Sequence, residues 1–160
     1  MNRKTLVTAS VSALLVFSML GCGTTNHLRS IELTGSGSTG SIEIRGWGGT
    51  LQLQAVGTYS SGRTKDLTNQ VTYSVTPDLV DSSGNALLAP PQTVQYSVTG
   101  LLTAVDPAVC TFANVGTPTA PSWVLTGSYK VIATFQGITS QPLQVGVASA
   151  VPQGETQCGP

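Results

Sequence analysis

Between Ser30 and Val147 apolar residues recur at every second position in short runs, and each run stops at glycine, proline or serine. Successive side chains of a strand point to opposite faces, so a period of two marks half-buried strands. Ser30 to Thr34 and Ser41 to Arg45 alternate, divided by the turn Gly35 to Gly40 and closed by Gly46-Trp-Gly-Gly49. Leu51, Leu53, Ala55, Gly57 and Tyr59 share one face of a longer run, with Gln52 and Gln54 on the other. Val71, Tyr73 and Val75 form the next inward face, stopped at Pro77. Val94 to Val98 and Leu101 to Val105 flank Thr99-Gly100, a tight-turn pair. Tyr129, Val131, Ala133 and Phe135 run into a turn at Gln136-Gly137, and Leu143, Val145 and Val147 close the set. No stretch beyond the first 22 residues sustains a 3.6-residue apolar period. The pattern predicts an all-β chain folded as a Greek-key β-sandwich of about seven strands. Two long insertions interrupt it. One is Val80 to Gln92 with Pro90-Pro91; the other is Asp106 to Val124, mostly loop, with one short strand expected around Cys110.

The first residues are of another kind. Arg3 and Lys4 open the chain, Leu6 to Leu20 is an apolar stretch broken by small hydroxyl residues, and Met19-Leu20-Gly21-Cys22 ends it. Charge, then an apolar run, then small residues is the layout of an export leader, and the run is short of the roughly 20 apolar residues a bilayer span takes. The Leu-Gly-Cys ending resembles the lipobox of bacterial lipoproteins. The resemblance implies cleavage before Cys22, acylation of that cysteine (palmitate among its acyl chains) and a domain held to a membrane of the cell envelope by lipid. Gly23 stands where the family often places Asp to signal inner-membrane retention, which favours the outer membrane. The expected division is a signal peptide over 1–21, a lipidated Cys22 and short tether over 22–29, the sandwich over 30–148 and a tail over 149–160. With Cys22 given to lipid, Cys110 and Cys158 remain, and in an oxidising compartment a disulfide is the simplest reading of such a pair, two free thiols the alternative. The bridge would close a 48-residue loop, worth roughly 4 kcal/mol by chain entropy, and would pin the tail to the domain.

Charge excludes several functions. Beyond the leader, five lysines and arginines stand against seven aspartates and glutamates, a net of −2 with no basic run. Nucleic acid binding draws on clustered Lys and Arg to displace counterions, so no nucleic acid partner is expected.

A second resemblance covers residues 30–147. Gly49-Thr-Leu-Gln-Leu-Gln-Ala-Val-Gly-Thr-Tyr-Ser-Ser-Gly-Arg-Thr-Lys-Asp-Leu-Thr68, continued by Val71-Thr-Tyr-Ser-Val75, looks like the first half of a bacterial immunoglobulin-like domain of group 2 type. Thr99-Gly-Leu-Leu-Thr-Ala-Val105 is similar to the turn before that family's fifth strand, and Gly127-Ser-Tyr-Lys-Val-Ile-Ala-Thr-Phe135 resembles its Gly-x-x-x-Ile-x-Ala strand. The resemblance implies an immunoglobulin-like sandwich. Tyr73 stands where the family usually has Trp, and its hydroxyl needs a partner or water. The two insertions are longer than the family's own loops.

Little in the chain carries chemistry. The one histidine, His27, lies in the tether and reads as a solvated linker residue. No Ser–His–Asp or Cys–His set is available. Gly35 to Gly40 lies between strands, which does not suit phosphate cradling. Asp78 and Asp81 are spaced as an acid/base pair but read as solvated turn acids. Calcium would have to draw on Asp66, Asp78, Asp81 and Asp106 without a D-x-D spacing, and Asp66 reads instead as an Asx turn within Lys65 to Asn69. No catalytic residue, metal ligand or cofactor is therefore assigned. Trp47, between glycines, and Trp123, in the second insertion, are the candidate ligand contacts, with plugging an end of the sandwich as the plainer role. The expectation is a lipid-anchored, non-catalytic binding or structural module, in adhesion or surface assembly, with an unknown protein or glycan partner. A carbohydrate-binding module and an accessory subunit of an envelope complex are the alternatives.

Overall fold

A computed structural model describes residues 25–36, 40–80, 85–114 and 116–148. Cys22, Asp81 and Cys158 lie outside the described residues, as do the expected leader and the tail from 149 onward. Twelve strands occur among the described residues: β1 Leu28–Gly35, β2 Ser41–Arg45, β3 Thr50–Tyr59, β4 Thr64–Asp66, β5 Thr72–Pro77, β6 Val94–Tyr96, β7 Leu101–Ala104, β8 Phe112–Asn114, β9 Trp123–Leu125, β10 Ser128–Phe135, β11 Ile138–Thr139 and β12 Leu143–Ala148. The expectation of about seven is thus exceeded, because β4, β8, β9 and β11 are two or three residues long, too short to show alternation. Leu28 and Arg29, read as tether, already belong to β1.

The fold is an all-β sandwich. In one sheet β1, β3, β7 and β6 follow one another, with β4 also on β3; in the other β11, β10, β12 and β2 do, with β5 also on β10. All pairs are antiparallel except β12 with β2, which run parallel from Gln144↔Ser41 to Ala148↔Arg45. The alternation places Leu51, Leu53 and Ala55 of one sheet and Tyr73, Val75, Val131, Val145 and Val147 of the other in a single buried cluster. At about 25 cal/mol per Å² of apolar surface removed from water, this shared interior is the main stabilising term.

Two buried tyrosines tie loops to that interior. The Tyr73 hydroxyl, foreseen as needing a partner, donates to the Thr68 carbonyl at 3.0 Å. Tyr129 donates to Thr93 Oγ1 at 2.8 Å, and Thr93 Oγ1 in turn donates to the Leu88 carbonyl at 3.0 Å, so the first insertion is pinned from below.

The pairings also give the molecule two distinct ends. Leu28 lies opposite Tyr59, so the start of β1 shares an end with the turn Ser60 to Arg63. The Ser60 amide donates to the His27 carbonyl there. The β10–β11 turn belongs to this same end, the one at which residues 25–27 enter β1. At the other end the Gly46 amide meets the Ala148 carbonyl, the Gly48 amide meets the Ala104 carbonyl, and the Val147 amide meets the Gly127 carbonyl. The ends of β2, β7 and β12 and the starts of β3 and β10 therefore converge. Both insertions leave from this distal end.

Candidate functional site

The distal end gathers the residues singled out as ligand contacts. Trp47 projects from the turn Gly46 to Gly49, in which Gly46 and Gly48 each take a φ of 77°, a left-handed backbone that glycine adopts without penalty. Its indole Nε1 donates to the Val105 carbonyl at 3.1 Å. That bond satisfies the polar handle of the ring and lays it over the end of the sandwich, while 47% of the residue remains exposed. Trp47 is half plug, half open surface.

Trp123 stands differently. The expected strand around Cys110 is instead a 3-10 turn, Pro107–Cys110, with Asp106 as its cap: the Asp106 carboxylate accepts from the Ala108 amide at 2.7 Å. Proline at the start of the turn and an aspartate before it favour this geometry over a strand. The strand follows as β8 and pairs with β9 in the register Phe112↔Leu125, Ala113↔Val124 and Asn114↔Trp123. Alternation puts Phe112, Asn114, Trp123 and Leu125 on one face. Trp123 is 63% exposed and Phe112 54%.

This small hairpin is braced by side chains. Buried Thr126 donates through Oγ1 to the Ala108 carbonyl at 2.8 Å, and its amide donates to the Thr111 carbonyl at 3.0 Å. Asn114 Oδ1 accepts from the amides of Gly116 and Ser122, both at 2.9 Å, which closes the loop between the strands. Gly127 then joins the hairpin to β10 where there is no room for a side chain: an added Cβ would lie 2.5 Å from the Val109 carbonyl oxygen and 2.9 Å from Val147 Cβ. Beside the hairpin is a recess of about 290 Å³, lined by Val124 and Leu125 on one side and Gly146, Ala148 and Glu43 on the other. Cys110 is buried and disulfide-bonded. Its expected partner, Cys158, lies outside the described residues.

The acidic residues are dispersed and engaged. Asp66 accepts from the Thr68 amide at 2.8 Å, the foreseen Asx turn, and bonds from the Thr68 side chain and amide lower its pKa. Asp78 corrects its expectation. It is no solvated turn acid, because its mostly buried carboxylate pairs with Lys130 of β10 and accepts from the Gln144 side chain of β12. Asp106 caps the 3-10 turn. Among the described residues no three of His, Cys, Asp and Glu converge on a point. His27 is exposed in the tether, its ring Nδ1 3.1 Å from the Thr25 carbonyl oxygen.

Phe112 is the surface residue that sequence reasoning missed. Its signal was the three-residue alternation Phe112-Ala-Asn114, hidden by the prolines around it. No family model matches the chain, and no curated protein does.

Proposed function

We propose that the chain is a lipid-anchored protein of the bacterial cell envelope, and that its sandwich is an immunoglobulin-like, non-catalytic module that binds with its distal end. The immunoglobulin-like assignment is supported by strand order. With β1, β3, β5, β6, β7, β10 and β12 lettered A to G, the sheets read A-B-E-D and C-F-G, the arrangement of constant-type immunoglobulin domains. In that lettering β2 is a second half of strand A that crosses to pair with G. The anchor rests on Leu20-Gly21-Cys22 and the apolar leader before it.

One observation carries the functional reading: the chain enters at one end of the sandwich, and Trp47, Phe112 and Trp123 are exposed at the other. Loops on a rigid scaffold are where recognition is ordinarily built, and exposed aromatic residues are its commonest anchors. A strand of eight residues spans about 26 Å, so a domain hanging from its tether holds this end well clear of the lipid.

Membrane fractionation of cells expressing the wild type and Cys22→Ser tests the anchor. The wild type is expected in the membrane fraction and released only by detergent, and the variant in the soluble fraction. Wild-type protein recovered as soluble would overturn it. Protease treatment of intact and permeabilised cells then decides which compartment the distal end meets.

A further inference from the structure

We infer that the β8–β9 hairpin is a carbohydrate-binding platform, with Trp123 as the stacking surface for an uncharged pyranose chain. This rests on the distal-end reading above and names its ligand class.

Three observations select the ligand. The first is charge. From Pro107 to Ser128 there is no Asp, Glu, Lys, Arg or His, so the hairpin and its loop offer no counter-charge to an acidic or basic ligand. Nor do they offer the cationic residues that draw a protein surface onto anionic lipid. The second is area. Phe112 at 54% and Trp123 at 63% exposure leave roughly 250 Å² of aromatic surface open, given side chains of 150–250 Å². A stable protein interface takes about 800 Å² from each partner. The patch is the size of one or two sugar rings.

The third is the company the rings keep. Asn114 sits directly opposite Trp123 on the same face. Its Oδ1 is taken by the Gly116 and Ser122 amides, which fixes the carboxamide of this exposed residue. Thr117, Thr119 and Ser122 add neutral hydroxyls in the adjoining loop, with Thr117 and Thr119 within 3.3 Å of each other. A flat apolar plane edged by fixed neutral donors and acceptors matches a pyranose, whose ring faces are apolar C–H and whose rim is hydroxyl. The polar groove of about 500 Å³ on the outer face of the first sheet, lined by Gln52, Gln54, Asp66 and Asn69, has no such plane.

The test is titration of the purified mature chain with cellohexaose, chitohexaose and mannohexaose, followed by calorimetry and tryptophan emission. At least one neutral hexasaccharide is expected to bind and shift the emission. Trp123→Ala is expected to weaken it about tenfold, the equivalent of one good aromatic contact, and Trp123→Phe to retain more of the affinity than Trp123→Leu. Gln54→Ala, in the groove on the first sheet, is expected to leave binding unchanged. If Trp123→Ala disturbs the hairpin, the Phe and Leu pair still separates an aromatic plane from mere apolarity. Failure of all three sugars to bind overturns the proposal. So does binding that Trp123 variants do not alter, or Trp123-dependent capture of a protein or of phosphatidylglycerol vesicles without sugar binding. None of these outcomes bears on the anchor, which fractionation of Cys22→Ser tests separately.

Discussion

The two ends of the sandwich solve the same problem in different ways. At the tether end the sheets are closed by short turns, among them Ser60 to Arg63 and Gln136-Gly137, whose residues are polar or glycine. At the distal end two long insertions leave the sheets, and three aromatic residues stay open to solvent. The first end is as small as strand geometry permits. The second carries far more chain than closure requires, and each added segment is held by a specific device: a tyrosine beneath the first insertion, and an aspartate cap, a buried threonine and a disulfide at the second. These fastened insertions are where the proposed binding surface lies.

The contrast is open to experiment, and the largest effect is expected at the disulfide. Cys110→Ser should lower the unfolding free energy by about 4 kcal/mol if the bridge runs to Cys158 and closes its 48-residue loop. Denaturant unfolding of the wild type with and without reductant should show the same loss. An unchanged midpoint would mean that the distal end does not depend on its staple.

Next come the glycines. Gly127→Ala forces a Cβ against the Val109 carbonyl and Val147 and should cost about 2 kcal/mol, as overpacking does. Gly62→Ala at the tether end meets nothing within 4 Å and should cost only its left-handed backbone, about 1 kcal/mol. Equal losses in thermal unfolding would erase the difference in packing between the ends.

The tyrosine pins give the third comparison. Tyr73→Phe should cost about 1 kcal/mol, one buried hydrogen bond, and should change the alkaline limb. Burial, helped by the nearby Asp66 charge, pushes Tyr73 up to about 12, against about 10 in an unfolded chain. The unfolded state therefore loses this proton first. Its contribution is intact below pH 10 and is lost as pH rises from about 10 through 12. Stability measured across that window should fall less steeply in Tyr73→Phe than in the wild type. Tyr129, also raised by burial with Asp106 adding to it, should behave likewise at the distal end.

The smallest effect is expected where function is proposed. Trp123→Ala, at an exposed site, should move stability by no more than about 0.5 kcal/mol. A large loss would make Trp123 a structural residue and remove the reason for its exposure.

The sandwich was legible because its longer strands bury one face, and burial writes itself into the chain as alternation. Val71, Tyr73 and Val75, or Leu143, Val145 and Val147, need no knowledge of their neighbours to be read. The Asx turn at Asp66 was equally local. The hairpin was not, since three residues cannot establish a period and the surrounding prolines suggest loop. Asp78 was misread because Lys130 and Gln144, which hold its carboxylate, lie far along the chain and meet it only once β5, β10 and β12 are side by side. Trp47 and Trp123 could be named from sequence. That they share an end opposite the tether follows only from strand order.

That opposition has a mechanical consequence. If the chain is held through Cys22 while a ligand pulls at the distal end, the load enters at Leu28 and runs along β1. Seven registered pairs join β1 to β3, from Leu28↔Tyr59 to Gly35↔Leu53, and their hydrogen bonds lie perpendicular to the strands. Tension along the tether axis therefore shears the ladder, and its bonds share the force, whereas peeling would break them one at a time. Beyond the first turn the same segment continues as β2 and grips β12 in a parallel ladder of five pairs, a second shear clamp in series. Under such a load the fold would act as a link, because the first segment of the sandwich is stitched to one sheet through β1 and to the other through β2.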